Sequence, residues 1–255
     1  MKPNWFLRSF FKKRQMRESF MKSRAAVVFS LICTIAMIDS FSLYVALAPL
    51  SVYFILIGMI NMSRRPFLVT TQRDLGALLT ALVGLAAVGP MELLFPLNAA
   101  WNYGPFVWCF LLAIYGLAAF LISQLQRPGM NVYNISLADL RMAVSDIALE
   151  TDASSRWAGD SLAIPSLGVQ LYLEENAPLR NASLLANGAK QSAEGWRFLK
   201  QKLSERFSQT PPLAPKNTCG IVFLLVGVLS FVFLHALIWW DSVEFLKAIP
   251  DFLRI

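Results

Sequence analysis

PGMNVYNISLADLRMAVSDIALE, residues 128–150, begins the one long polar stretch of this 255-residue chain, which continues to residue 216. Apolar segments flank the stretch on both sides, and 56% of all residues are hydrophobic. That share exceeds the roughly 45–50% typical of soluble domains, and the apolar residues are grouped in long runs. The sequence therefore predicts a membrane protein that carries one small domain folded in water.

The polar stretch shows strand and helix patterns in the order βαβββα. A β-prone run at 130–135 precedes a helix that begins after Ser136, with Asp139 placed three residues later as in a capping box. Three strand patterns and a second helix follow, at residues 161–164, 169–174, 181–186 and 192–207. This order predicts an α+β domain over 128–207, with both helices packed on one face of a small antiparallel sheet. A Pro-rich tether at 208–218 leads back to the membrane.

The apolar segments predict about five membrane spans. The run at 25–62 is too long for one span of about 20 residues, and Asp39 interrupts it, so we interpret it as a helical hairpin with two spans. Three more spans and an outer interfacial helix are predicted at 75–97, 107–125, 219–240 and 241–255. The predicted fold class is a multi-pass α-helical membrane protein with the α+β domain inserted between the fourth and fifth spans.

A basic arm, residues 1–24, precedes the first span and contains eight Lys and Arg residues but one Glu. Aromatic residues are interleaved with the cations, which predicts an amphipathic helix on anionic headgroups. A plain positively charged topogenic tail is the alternative. The lipid contacts predicted for this arm are Lys12, Lys13, Arg14 and Arg17.

The charges outside the arm predict the topology and exclude one class of partner. Basic residues follow the second, precede the third and follow the fourth predicted span, at Arg64, Arg65, Arg73 and Arg127. By the positive-inside rule, the N-terminus and residues 128–216 are then cytoplasmic and the C-terminus is outside, as in a bacterial inner membrane. The polar stretch holds nine basic and nine acidic residues, which argues against binding of nucleic acid.

The polar stretch contains no His and no Cys, which excludes Cys–His nucleophiles, Ser–His–Asp triads and conventional zinc sites within it. No cofactor is predicted. Its most unusual cluster combines Arg156, Trp157 and Asp160, which could bind a small ligand or a peptide. The alternative is a β-turn with a surface ion pair and a core tryptophan.

Two polar residues lie at similar depths within predicted spans. Glu92 is about 17 residues into the third span and His235 about 16 residues into the fifth, so the two side chains could meet in the outer leaflet. Such a pair could form a proton-linked site. Alternatively, both side chains reach the water at the outer interface.

These patterns predict a non-enzymatic scaffold or interaction protein that presents its cytosolic domain to a protein partner or to a second copy of itself. The alternative is a small transporter, or a subunit of one, that uses Glu92 and His235.

Overall fold

A computed structural model describes residues 40–95, 102–176, 180–188, 191–209, 218–240 and 242–253. The arm at 1–24 with its predicted lipid contacts, the first half of the hairpin and most of the tether lie outside these residues.

Eight α-helices and six strands form the described part. In chain order they are α1 (Ser40–Met62), β1 (Phe67–Thr70), α2 (Thr71–Ala81), α3 (Val83–Ala86), α4 (Phe106–Leu125), β2 (Gly129–Tyr133), α5 (Leu137–Thr151), β3 (Arg156–Ala158), β4 (Ser161–Ile164), β5 (Val169–Asn176), β6 (Asn181–Ala186), α6 (Ala193–Gln209), α7 (Thr218–Trp240) and α8 (Ser242–Leu253). A π-helical turn at Ala87–Met91 continues α3, and a 3₁₀ turn at Pro165–Leu167 connects β4 with β5.

Three helices, α1, α4 and α7, are long and apolar enough to cross a membrane. The prediction of apolar spanning helices beside an antiparallel sheet with helices is therefore confirmed. The third predicted span, 75–97, is a broken helix that begins at Thr71 and bends by 49° between α2 and the segment Val83–Met91. Counting it as one span gives up to four spans in the described residues, and the prediction of five stays a prediction.

Small residues bring the spanning helices together. Helices α1 and α7 run antiparallel, because Ser51 and Ile55 lie beside Gly227 whereas Asn61 lies beside Gly220. A Cβ atom added at Gly227 would lie 2.7 Å from the Ile55 nitrogen. In a bilayer, such close backbone approach is the main source of helix attraction.

One antiparallel sheet contains all six strands, in the order β1-β2-β6-β5-β4-β3. Alternate residues of its inner strands point to one face and form a single core with α5 and α6, so both helices pack on that face as predicted. The most deeply buried members include Val132, Leu171 and Leu184 from the sheet and Leu140 and Leu199 from the helices.

Two strands were not predicted, so the order βαβββα is wrong by one strand within 128–207. Strand β3 precedes β4 and pairs with it as a hairpin, at a place where only three residues, Arg156–Ala158, are extended. Strand β1 comes from outside the predicted domain, between α1 and α2, and pairs with β2 from Phe67↔Tyr133 to Thr70↔Met130. The sheet is thus completed by a segment that lies between two helices of the apolar half of the chain.

Helices α1–α4 and α7 form a bundle. The last helix, α8, lies at the end of this bundle that is opposite the sheet. Its Phe252 ring stacks on Trp108 with centroids 4.6 Å apart, and Trp108 Nε1 donates a hydrogen bond to the Phe252 carbonyl (3.1 Å). Phe41 at the start of α1 contacts the rings of Phe245 and Phe252. Val243 and Leu246 of α8 are exposed and face away from the bundle.

The close approach of α1 and α7 generates a prediction. The substitution Gly227→Leu should lower the free energy of unfolding by about 1–3 kcal/mol, because the new side chain has no space against Ile55. Thermal unfolding in detergent, followed by tryptophan fluorescence, measures the change. Gly116→Leu on α4 is the matched control, since nothing lies within 4 Å of a Cβ there. Equal loss of stability in both variants would contradict the packing argument.

Candidate functional site

The second face of the sheet is polar and lies against the sheet-side ends of α1, α2 and α7. Because side chains alternate along a strand, the residues between the core positions of β2 and β6 point to this face. They are Asn131, Tyr133, Asn181 and Ser183, and they line one cavity together with Asp74 of α2.

Asp74 is the centre of a hydrogen-bond network across this junction. Tyr133 Oη donates to Asp74 Oδ1 (2.7 Å), and Asn131 Nδ2 donates to Asp74 Oδ2 (2.6 Å). Ser183 Oγ in turn donates to Asn131 Oδ1 (2.9 Å). Each carboxylate oxygen therefore receives one bond from β2, which fixes the start of α2 against the sheet.

The environment of Tyr133 keeps its hydroxyl protonated. Burial raises the pKa of Tyr133 above its ordinary value of 10.0, and the hydrogen bond to the Asp74 carboxylate raises it further. The hydroxyl is consequently a permanent donor to Asp74 over the physiological pH range.

Asn134, directly after β2, makes a second connection between the domain and the bundle. Its backbone has a φ of 61°, in the left-handed region, which asparagine tolerates better than most residues. Its Nδ2 donates to the carbonyl of Ile60 in the last turn of α1. The next residue, Ile135, is held by a backbone bond from its nitrogen to the Arg180 carbonyl (3.0 Å).

Aromatic and aliphatic side chains of the bundle close the cavity on the side opposite the sheet. Tyr53, Phe54 and Ile57 come from α1 and Phe223 from α7. The Phe54 ring lies 5.9 Å from that of Phe223 and 6.3 Å from that of Tyr53, measured between centroids. The cavity has a volume of about 280 Å³ and is partly open; its sheet side is polar, and its bundle side is mostly apolar.

The predicted cluster contains Arg156, Trp157 and Asp160. Trp157 and Asp160 connect the β3–β4 hairpin to α5 through Arg141. Arg141 Nη1 lies 3.1 Å from Asp160 Oδ1, its Nη2 donates to the Gly159 carbonyl (2.8 Å), and its guanidinium lies 4.6 Å from the Trp157 ring centroid. Arg156 is exposed on β3. The turn carries a surface ion pair, as in the alternative interpretation, but its arginine is Arg141 and Trp157 is half-buried. Binding of a small ligand or a peptide by this cluster stays a prediction.

Glu92 and His235 lie in different surroundings. Glu92 borders an open groove beside α8, together with Ser42, Glu244, Lys247 and Asp251. His235 is exposed on α7, with Nδ1 2.9 Å from the Phe231 carbonyl oxygen and its ring 5.7 Å from that of Tyr44. Among the described residues, no hydrogen bond or ion pair joins the two, and the structure does not bring them into one site.

Sequence reasoning missed Asp74, although a signal for part of the site was present. Alternation in β2 and β6 places polar side chains opposite the core, which indicates a second covered face. Asp74 itself lies between two predicted spans. Only its hydrogen bonds to Asn131 and Tyr133, which are distant in the sequence, identify it as part of the site. Within the described ranges, no group of His, Cys, Asp and Glu could hold a metal ion.

Comparison of the chain with protein-family models, curated proteins and solved structures finds no match.

The network around Asp74 predicts a stability effect for Tyr133→Phe. The variant should lower the free energy of unfolding by about 1–3 kcal/mol at neutral pH, because Asp74 Oδ1 loses its donor. The wild-type protein should also lose stability as the pH rises above 10, because the unfolded tyrosine releases its proton there while the folded one retains it. The variant should show a smaller loss over this range.

Denaturant unfolding in detergent at several values between about pH 8 and pH 11 measures both effects. Tyr172→Phe, an exposed tyrosine on the same sheet face, is the control. If both variants had the same pH dependence as the wild-type protein, the role given to the Tyr133 hydroxyl would be wrong.

Proposed function

We propose that the chain is a non-enzymatic integral membrane protein that holds its sheet domain rigidly beneath the bundle and presents the α5–α6 layer to a partner protein. The observation that carries this proposal is that two separate contacts connect the sheet domain with the helical bundle. Strand β1 joins the sheet directly from α1 and α2, and Asp74 bonds to two side chains of β2. A domain fixed in this way has one orientation relative to the membrane.

The charge distribution supports a cytoplasmic position for the sheet. Helix α1 ends, α2 begins and α4 ends next to strands of the sheet, and exposed arginines lie at these junctions: Arg64, Arg65, Arg73 and Arg127. Positive residues of this kind mark the cytoplasmic side of a bacterial inner membrane. The opposite end then faces outward, with Glu92, Glu244 and Asp251 around Lys247.

The surface of α5 supports a protein partner. Met142 and Leu149 are 60% and 65% exposed, although they belong to the domain that folds in water. They are seven residues apart, about 10 Å along one side of the helix, and the acidic Asp146 and Glu150 are exposed beside them. A surface of this kind fits an apolar partner segment with basic flanks. A second copy of the chain is the other partner that the proposal includes.

The transporter alternative requires Glu92 and His235 to act together, and no hydrogen bond or ion pair between described residues joins these two side chains.

The proposed topology predicts the behaviour of reporter fusions. After Arg127, a reporter that is active only in the cytoplasm should be active. After Ile255, a reporter that is active only after export should be active. Phosphatase and fluorescent-protein fusions measure the two positions. Both reporters on the same side would contradict the topology.

The proposed partner surface predicts a loss of binding. Photo-crosslinking from α5 of the intact chain in cells should give one dominant product, and the double variant Met142→Ser, Leu149→Ser should reduce it about tenfold, since each buried apolar side chain contributes about 1 kcal/mol or more. Tyr172→Ser with Glu174→Ser, on the opposite face of the sheet, should leave the product unchanged. Two differently tagged copies of the chain distinguish self-association from a foreign partner. An unchanged product in the α5 variant would contradict the proposal.

A further inference from the structure

The junction cavity contains a carboxylate without a cationic partner. Asp74 accepts hydrogen bonds from Tyr133 and Asn131, which are both neutral donors. In the part of the chain that the structure describes, no Lys, Arg or His side chain forms an ion pair with it. Asp74 is half-buried, and two neutral donors do not balance its negative charge, so this carboxylate can still take a positively charged partner.

The walls of the cavity suit a cation. Three aromatic rings, those of Tyr53, Phe54 and Phe223, line it opposite the polar face of the sheet. The negative face of an aromatic ring attracts an ammonium group, and this attraction is stronger where water is excluded. A carboxylate facing aromatic rings is the chemistry that recognises an organic ammonium ion.

The cavity lies at the depth of lipid headgroups in the proposed membrane placement. Its α1 residues, from Tyr53 to Asn61, belong to the last three turns before Met62, where the chain passes into β1. Its other wall belongs to the water-folded sheet. Exposed Arg64, Arg65 and Arg73 lie in the connecting segment and the first turn of α2, where they can contact a phosphate outside the cavity.

We propose that the junction cavity binds the ammonium headgroup of an aminophospholipid, with Asp74 as its counter-ion, the three aromatic rings as its walls, and the lipid phosphate outside near the arginines. This inference rests on the membrane placement proposed above. An anionic headgroup without an amine would meet the Asp74 charge with no cation in the cavity lining. A polyol headgroup would leave that charge uncompensated.

Lipid retention by the purified full-length chain tests the proposal. The protein is placed in nanodiscs of phosphatidylethanolamine, phosphatidylcholine and phosphatidylglycerol in equal amounts, transferred to mild detergent and examined by native mass spectrometry. About one phosphatidylethanolamine per chain should remain bound, enriched about tenfold over phosphatidylglycerol, the factor expected for one charge-assisted hydrogen bond. Equal retention of these two lipids would overturn the proposal.

Variants assign the binding to the cavity. Asp74→Asn should abolish the enrichment, whereas Asp146→Asn, which removes an exposed carboxylate paired with Arg206 on the far side of the domain, should preserve it. Because Asp74→Asn also alters the network of the junction, a second variant, Phe54→Leu with Phe223→Leu, keeps the carboxylate and the apolar character of the spans. It should reduce the enrichment severalfold. Enrichment that survives in both variants would overturn the site.

Two further measurements are needed. One distinguishes a bound lipid from a free headgroup, and the other distinguishes failure of this inference from failure of the proposed membrane placement. Free ethanolamine phosphate, added as a soluble competitor, should displace little of the bound lipid, because it lacks the acyl chains; complete displacement at a concentration equal to that of the lipid would overturn the lipid assignment. The reporter fusions are made on the same variants. Unselective lipid retention together with the expected topology would overturn this inference alone, whereas a reversed topology would overturn the membrane placement on which it rests.

Discussion

The carboxylate of Asp74 is the interaction on which the relation between the two halves depends. It lies in the first turn of α2 and receives a hydrogen bond on each oxygen from β2, so it joins the bundle to the sheet at their boundary, together with the bond from Asn134 to Ile60. Strand β1 adds backbone pairing next to it. Without these contacts, the polar face of the sheet would have no counterpart on the apolar helices.

The two halves are stabilised by different physical effects. The sheet and its two helices enclose a core of aliphatic and aromatic side chains, so removal of apolar surface from water stabilises the domain. The helices of the bundle approach each other closely at Gly58, Gly84 and Gly227; in the proposed membrane placement this contact stabilises them, because lipid offers little gain from burying apolar surface. At the junction, the stabilising contact is a hydrogen-bond network next to a cavity lined by aromatic rings.

Local patterns in the sequence predicted the elements whose formation depends on local residues. The cap of α5 is an example, since Ser136 Oγ accepts the Asp139 backbone N–H (3.2 Å) where the capping pattern placed it. The alternation of β5 is another. In contrast, β1 is four residues long and is defined by pairing with a strand about 60 residues later. The same holds for the site: Asp74 with Tyr133, and Arg141 with Asp160, are pairs formed by the fold. Equal depth alone does not predict contact between Glu92 and His235, because contact also depends on which way each helix face points.

Strand β1 has a consequence for how the chain is made. The ribosome releases β1 before α2 and α4, and its partner β2 emerges only after both helices. The sheet therefore cannot be completed by residues 128–207 alone, because its edge strand β1 comes from between α1 and α2. A fragment that starts at residue 128 would expose the edge of β2, which invites pairing with other chains. In the proposed membrane placement, insertion and folding are therefore coupled steps of biosynthesis, and the β2 edge stays exposed until β1 pairs with it.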